Sequence, residues 1–242
     1  MSTTWQPLTP EPYALGESPF WHPYEQLLYW VDIPARNIHR CNVFMGSIES
    51  WAMPSEPGCI APAQLVTTSP AQSEGLVIAL RDGIYRAANW GGELVKLAAA
   101  QHDTTTTRFN DGKADPTGRF WAGTMFEPRT SNDAKLYSFN NGALDVKVTN
   151  ATIANGLAWS PDAKTMYWAD TPTHTVRAWD WDAASNTMTG ERVFKQWPGK
   201  PSGWQFGALG SGNYGGRPDG AAVDVDGNYY VAMFEEIGRA HV

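Results

Sequence analysis

The 242-residue sequence predicts an all-β chain of propeller type, built from repeated four-stranded blades, and three observations carry that expectation. The composition holds 23 Gly, 17 Pro and 12 Trp, residues that interrupt helices, form tight turns and fill pleated surfaces. A motif recurs at intervals near 45 residues, the length of one propeller blade. Between its copies, short apolar runs alternate and close on Asp-Gly turns, as in EGLVIALRDGIYRA, which reads as a hairpin.

The repeat has four clear copies: ESPFWHPYEQLLYWVD from Glu17, NDGKADPTGRFWAGT from Asn110, NGLAWSPDAKTMYWAD from Asn155 and DGAAVDVDGNYYVA from Asp219. Each runs from a polar residue through a short apolar run and a turn into a second strand. Pro23, Pro116 and Pro161 each stand six positions after the leading residue. Asn155 follows Asn110 by 45 residues, and Asn110 follows Glu17 by 93, about two periods, so a further copy is expected from Gly58 onward. Asp219 comes 64 residues after Asn155, the excess being the Gly-rich run PGKPSGWQFGALGSGNYGG, expected to be a long connection.

In a radial stack of blades the first strand of each blade lines the axis, so residues at one position of that strand converge although they are far apart in sequence. Glu17, Asn110, Asn155 and Asp219 would then form a ring of hard oxygen donors. Such donors suit Ca²⁺, Mg²⁺ or Mn²⁺, and the lack of converging Cys or His argues against a structural zinc site. Taken singly, Asn-Asp-Gly, Asn-Gly and Asp-Gly are ordinary turn sequences. Their shared register, together with a Glu17 that no turn requires, points to one site. Asn110-Asp111-Gly112 is expected to be a turn facing the channel mouth, with FWAG in the next strand, packed between blades.

The net charge of −7 argues against a nucleic-acid footprint or a polybasic membrane surface. The start, MSTTWQPLTPEPY, has no signal-peptide pattern, and no 18-residue apolar run follows, so a cytoplasmic protein without membrane, nucleic-acid or obligate protein partners is expected. Cys41 and Cys59 read as reduced thiols. The five His show no ligand spacing, and Ser160 lies in WSPD rather than in a nucleophile elbow.

LGESPFW, RFNDGKADPTGRFWAGTM, IANGLAWSPD and RPDGAAVDVDGNYYVA, in that order, resemble the successive motifs of the SMP-30/gluconolactonase/luciferin-regenerating family. The resemblance spans nearly the whole chain. It implies a six-bladed β-propeller carrying one divalent metal ion (Ca, Zn, Mn or Mg) held by Glu17, Asn155 and Asp219. It also implies that Asp219 takes part in proton transfer, and that Arg108, Asn110 and Glu127 contact a small-molecule sugar lactone, although FEPR around Glu127 departs from the family pattern. The implied activity is metal-dependent opening of an aldonolactone such as gluconolactone in carbohydrate catabolism. The alternatives are a non-catalytic calcium-binding or interaction propeller, and a hydrolase of other esters or organophosphates.

Six blades of about 45 residues require about 270. Residues 1–235 are therefore expected to form an incomplete propeller of about four and a half blades, with 236–242, EIGRAHV, as a non-native tail. An open propeller exposes blade faces and strand edges, so poor stability or inactivity of the chain is expected.

Overall fold

The structure, a computed structural model, describes residues 7–63, 75–206 and 214–235, and the backbone of 240–241. The chain divides into two compact units, Met1–Ala99 and Ala100–Val242.

The first unit holds two antiparallel sheets, each in sequence order: β1 (Gly16–His22), β2 (Leu27–Asp32), β3 (Asn37–Asn42) and β4 (Ser47–Ala52), then β5 (Pro57–Pro62), β6 (Leu76–Leu80), β7 (Gly83–Ala87) and β8 (Leu94–Ala99). The second unit repeats the plan. Its sheets are β9 (Thr107–Ala114), β10 (Phe120–Phe126), β11 (Ala134–Asn140) and β12 (Ala143–Ala151), then β13 (Ala154–Trp159), β14 (Thr165–Asp170), β15 (Thr175–Asp182) and β16 (Thr187–Gln196), and finally β17 (Arg217–Val223), β18 (Tyr229–Phe234) and β19 (Ala240–His241). One short 3₁₀ turn, Thr171–Thr173, links β14 to β15. The hairpin read in EGLVIALRDGIYRA is β6–β7, and the copy expected from Gly58 starts with β5. Part of the Gly-rich connection, 207–213, lies outside the described residues, as do 236–239 and 242 of the closing run, while Ala240–His241 pair with β18.

The repeat has a physical basis in its first turn. Five positions after each leading residue stands a side chain that accepts backbone N–H groups of the turn joining the first and second strands. His22 Nδ1 accepts from Glu25 (3.2 Å), Asp115 Oδ1 from Thr117 (2.8 Å) and Arg119 (3.1 Å), Ser160 Oγ from Thr165 (2.9 Å), and Asp224 Oδ1 from Asp226 (3.0 Å) and Asn228 (2.8 Å). In three copies the next residue is the recurring Pro, whose fixed φ presets the turn.

A second device sits at the end of the second strand. Asp32 accepts from the backbone N–H groups of Ala14 and Leu15, both at 3.1 Å, and Asp170 Oδ1 from those of Thr152 (3.1 Å) and Ile153 (2.9 Å). Both aspartates lie fifteen positions after the leading residue of their copy, Glu17 and Asn155. Each thereby pins the entry of the strand that carries it.

Indoles fill the second unit. Trp121, Trp168, Trp179 and Trp181 are buried with Leu136, Leu157 and Met166 between the β9–β12 and β13–β16 sheets, and Trp121 Nε1 donates to Asp115 Oδ2 at 2.9 Å. In the first unit Tyr29, Val31, Ile38, Ile60, Ile78 and Leu80 play the same part. Both cysteines are buried and free.

The expected turn at Asn110-Asp111-Gly112 is instead a strand. These residues run through β9, where Phe109 pairs with Thr124 and Gly112 with Ala122, so that Asn110 and Asp111 face the single Gly123 as a β-bulge. The two polar side chains find partners on the neighbouring sheet, which removes the need for a turn to satisfy them. FWAG lies in β10 and is fully buried, as expected.

Replacing Asp170 by Ala strips two buried N–H groups of their acceptor and should lower unfolding free energy in urea by about 2–6 kcal/mol, at about 1–3 kcal/mol per orphaned donor. An unchanged midpoint and slope would show that the pin is dispensable.

Candidate functional site

The leading strands β1, β9, β13 and β17 each carry a bulge, and the residues singled out in the sequence lie at or beside it. In β13 and β1 the bulge follows the leading residue: Gly156-Leu157 oppose Trp168, and Ser18-Pro19 oppose Trp30. In β9 and β17 the bulge includes it, as Asn110-Asp111 and Asp219-Gly220. A bulge re-aims a side chain out of strict alternation, so the ring positions of the sequence coincide with the places where the ladder is interrupted.

Within the second unit the structure brings Arg108, Asn110, Asn155 and Glu127 together. Arg108 is buried in β9, where its Nη1 donates to the Phe109 carbonyl (2.9 Å) and to Asn110 Oδ1 (2.7 Å), and its Nη2 to Met125 Sδ (3.3 Å). Asn110 Nδ2 reaches the Ala154 carbonyl at 3.0 Å and Asn155 Oδ1 at 3.3 Å. Asn155 Nδ2 donates to Thr171 Oγ1 at 2.7 Å, and Thr171 Oγ1 donates to the Pro218 carbonyl at 2.8 Å, one residue before Asp219. Glu127, exposed just past β10, holds Oε1 3.8 Å from Arg108 Nε. The result is a polar line from β9 through β13 to β17 in which the amides of Asn110 and Asn155 are both hydrogen-bonded, which a buried network requires.

Asp219 stands beside the end of that line. Burial, reinforced by the like charge of Asp111 and opposed by Arg217, pushes its carboxyl up to about 6. It forms no ion pair among the described residues. Asp111 is also raised by burial, although its Oδ2 accepts from the Leu157 N–H at 3.0 Å. Lys113 is lowered by burial, and its Nζ donates to the Ala221 carbonyl at 2.8 Å. Asp111 and Lys113 thus reach from one strand to β13 and β17.

Gly156 occupies the left-handed region (φ +63°), and a Cβ there would lie 2.5 Å from Tyr229 Oη and 3.2 Å from the Asp219 carbonyl oxygen. Tyr229 Oη donates to the Gly156 carbonyl at 2.7 Å. The Gly in IANGLAW is therefore required by backbone conformation and by close approach at once.

Glu17 lies in β1 of the first unit, partly buried, followed by Ser18 at φ 52°, whose Oγ accepts the Ile60 N–H at 3.3 Å. No cluster of three or more His, Cys, Asp or Glu suited to a metal occurs among the described residues. Two of the ring positions are amides, which such a cluster would not include. Sequence reasoning missed Thr171, Asp170, Asp111 and Lys113. The Asp at position fifteen recurs with Asp32 and could have been found by aligning copies, whereas the place of Thr171 is taken by Ile33 in the first copy and carries no such signal.

The family model for the SMP-30/gluconolactonase/LRE-like region matches residues 15–241, and the chain belongs to that family. Its four-stranded antiparallel sheets are accordingly those of a β-propeller fold. The sequence is 35% identical to a 6-deoxy-6-sulfogluconolactonase of Pseudomonas putida, over 97% of this chain and 74% of the relative. It is 30% identical to human regucalcin, over 93% of this chain and 70% of the relative. Among solved structures, a calcium-binding protein, regucalcin, from Agrobacterium tumefaciens superimposes with a TM-score of 0.79 at 25% identity, over 93% of this chain and 70% of that one. No helix among the described residues is long and apolar enough to cross a membrane.

Lys113→Met keeps most of the side-chain volume but removes the donor to Ala221, and should cost about 1–3 kcal/mol in chemical denaturation. A variant as stable as the parent would assign the contact no structural weight.

Proposed function

We propose that this chain is a sugar lactonase that uses one divalent cation to open an aldonolactone to its aldonic acid. The observation that supports the reading best is the hydrogen-bonded line Arg108–Asn110–Asn155–Thr171 ending beside Asp219, a half-buried carboxylate that forms no ion pair among the described residues. The donor set fits a hard cation. Asn155 Oδ1 accepts one N–H from Asn110 and keeps a lone pair, and a carboxylate raised by burial and by Asp111 gains from a nearby positive charge. Asn155 and Asp219 would hold the ion. Glu17 is assigned as the third ligand by its LGESPFW motif. Asn110, whose Oδ1 is committed to Arg108, would serve by orienting Arg108 and Asn155.

Bound there, the cation supplies Lewis acidity toward the lactone carbonyl and acidifies water. Asp219 accepts the proton of the attacking water and returns it to the ring oxygen as the C–O bond breaks, the product being a hydroxy acid. Arg108 directs a permanently charged planar donor at the oxygen that gains negative charge, and Glu127 steadies its Nε side and offers an acceptor to a sugar hydroxyl. The named lactonase relative, 35% identical to the chain over the 236 residues that align, supports carbohydrate lactones over other esters.

The test is hydrolysis of gluconolactone, galactonolactone, xylonolactone and 6-deoxy-6-sulfogluconolactone by the 242-residue chain, after chelation and after return of Ca²⁺, Mg²⁺, Mn²⁺ or Zn²⁺ singly. Turnover should vanish on chelation and return with at least one ion. Undiminished hydrolysis without metal would defeat the proposal, and cation binding without turnover of any lactone would favour the non-catalytic calcium-binding alternative. Asp219→Asn should lower kcat about 10²–10⁴-fold, the range for loss of a general base. Arg108→Lys should reduce kcat/KM about 10–100-fold, because a point charge cannot reproduce the fork that holds Asn110 and faces substrate.

A further inference from the structure

Thr171 lies outside every motif that suggested the site, yet its hydroxyl is where β13, β17 and the 3₁₀ turn meet. A hydroxyl has one proton to donate. That of Thr171 goes to the Pro218 carbonyl, an acceptor with no donor alternative, at 2.8 Å. Oγ1 then offers only lone pairs to its remaining neighbour, the Asn155 carboxamide at 2.7 Å, so the group of Asn155 that faces it must be the NH₂. The opposite end, Oδ1, is thereby turned toward Asn110 Nδ2. The two ends of an amide are nearly equal in shape, and hydrogen bonding alone selects between them. Asn155 and Thr171 are both almost fully buried, at 3% exposure each, so no bulk water competes for the choice.

We infer that Thr171 is a positioning residue: it locks the Asn155 carboxamide with its oxygen toward the cation position, and through Pro218 it fixes the strand bearing Asp219 against the same turn. This inference rests on the metal-dependent reading above. A valine at 171 has the same shape and no hydroxyl, which frees the amide to rotate and leaves Pro218 without its donor. Serine restores both hydrogen bonds.

The test is calorimetric titration of the chain and of Thr171→Val and Thr171→Ser with CaCl₂, MnCl₂ or ZnCl₂. Thr171→Val should bind the cation about 10–100-fold more weakly, the usual loss when the partner of a metal ligand is removed, and Thr171→Ser should keep the parent affinity. Parent-like affinity in a folded Thr171→Val overturns the inference while leaving the lactonase reading intact. A parent chain that takes up no cation removes both. Should Thr171→Val not fold, side-chain NMR of the parent decides. The Nδ2 protons of Asn155 should exchange far more slowly than those of exposed Asn140, and cation should shift Asn155 Cγ while leaving that protection in place. Exchange as fast as at Asn140 overturns the inference.

Discussion

A β-ladder presents side chains alternately to its two faces, and an uninterrupted leading strand could not bring both members of an adjacent pair such as Asn110-Asp111 to polar partners on the next sheet. The bulge opposite Gly123 removes that restriction. It lets Asn110 reach Asn155 and Asp111 reach the Leu157 N–H, both across the gap between β9 and β13. Gly123 is bare for a related reason: a Cβ there would stand 2.3 Å from that of Ala154. The polar line from β9 to β13 depends on interrupting the ladder where the leading residues fall.

The same constraint accounts for the unusual electrostatics of the second unit. Interrupted ladders leave backbone groups that side chains must satisfy, and Asp111 does so at the β13 bulge, while Asp170 accepts the N–H groups of the two residues leading into β13, both carboxylates in partly or wholly buried surroundings. Burial raises Asp111, Asp170 and Asp219 together, and Lys113, lowered by the same cause, is the nearby counter-charge that Asp111 senses. A region holding several raised carboxylates is costly for a fold and well matched to a cation. Arg108 adds a guanidinium whose geometry is dictated by Phe109, Asn110 and Met125 rather than by solvent.

The apolar framework is simpler. Indoles between the β9–β12 and β13–β16 sheets, and Tyr229, Val231 and Met233 between β13–β16 and β17–β18, exclude water from both flanks of the polar line. Each contributes by area removed from water, about 25 cal/mol per Å². Their positions repeat because each sheet must present one face to its neighbour. That regularity is what allows a polar residue at one point of each copy to keep the same address.

Much of this was legible in the amino-acid sequence by itself. The 45-residue period, the leading polar residues and the recurring Pro pointed to the all-β repeat and to Glu17, Asn110, Asn155 and Asp219, because periodicity and turn chemistry are local properties of a chain, whereas Arg108 entered only through the resemblance to the family. The Asn-Asp-Gly segment was misjudged for the same reason: as a local sequence it favours a turn, and the partners that hold it extended lie more than forty residues away. Tertiary structure alone decided that Asn155 is turned by Thr171, that Lys113 reaches β17 and that Asp219 is raised by burial and Asp111. Amide orientation and carboxylate pKa are set by atoms gathered in space, and no spacing along the chain encodes which of two equal-sized ends of an amide will face a hydroxyl.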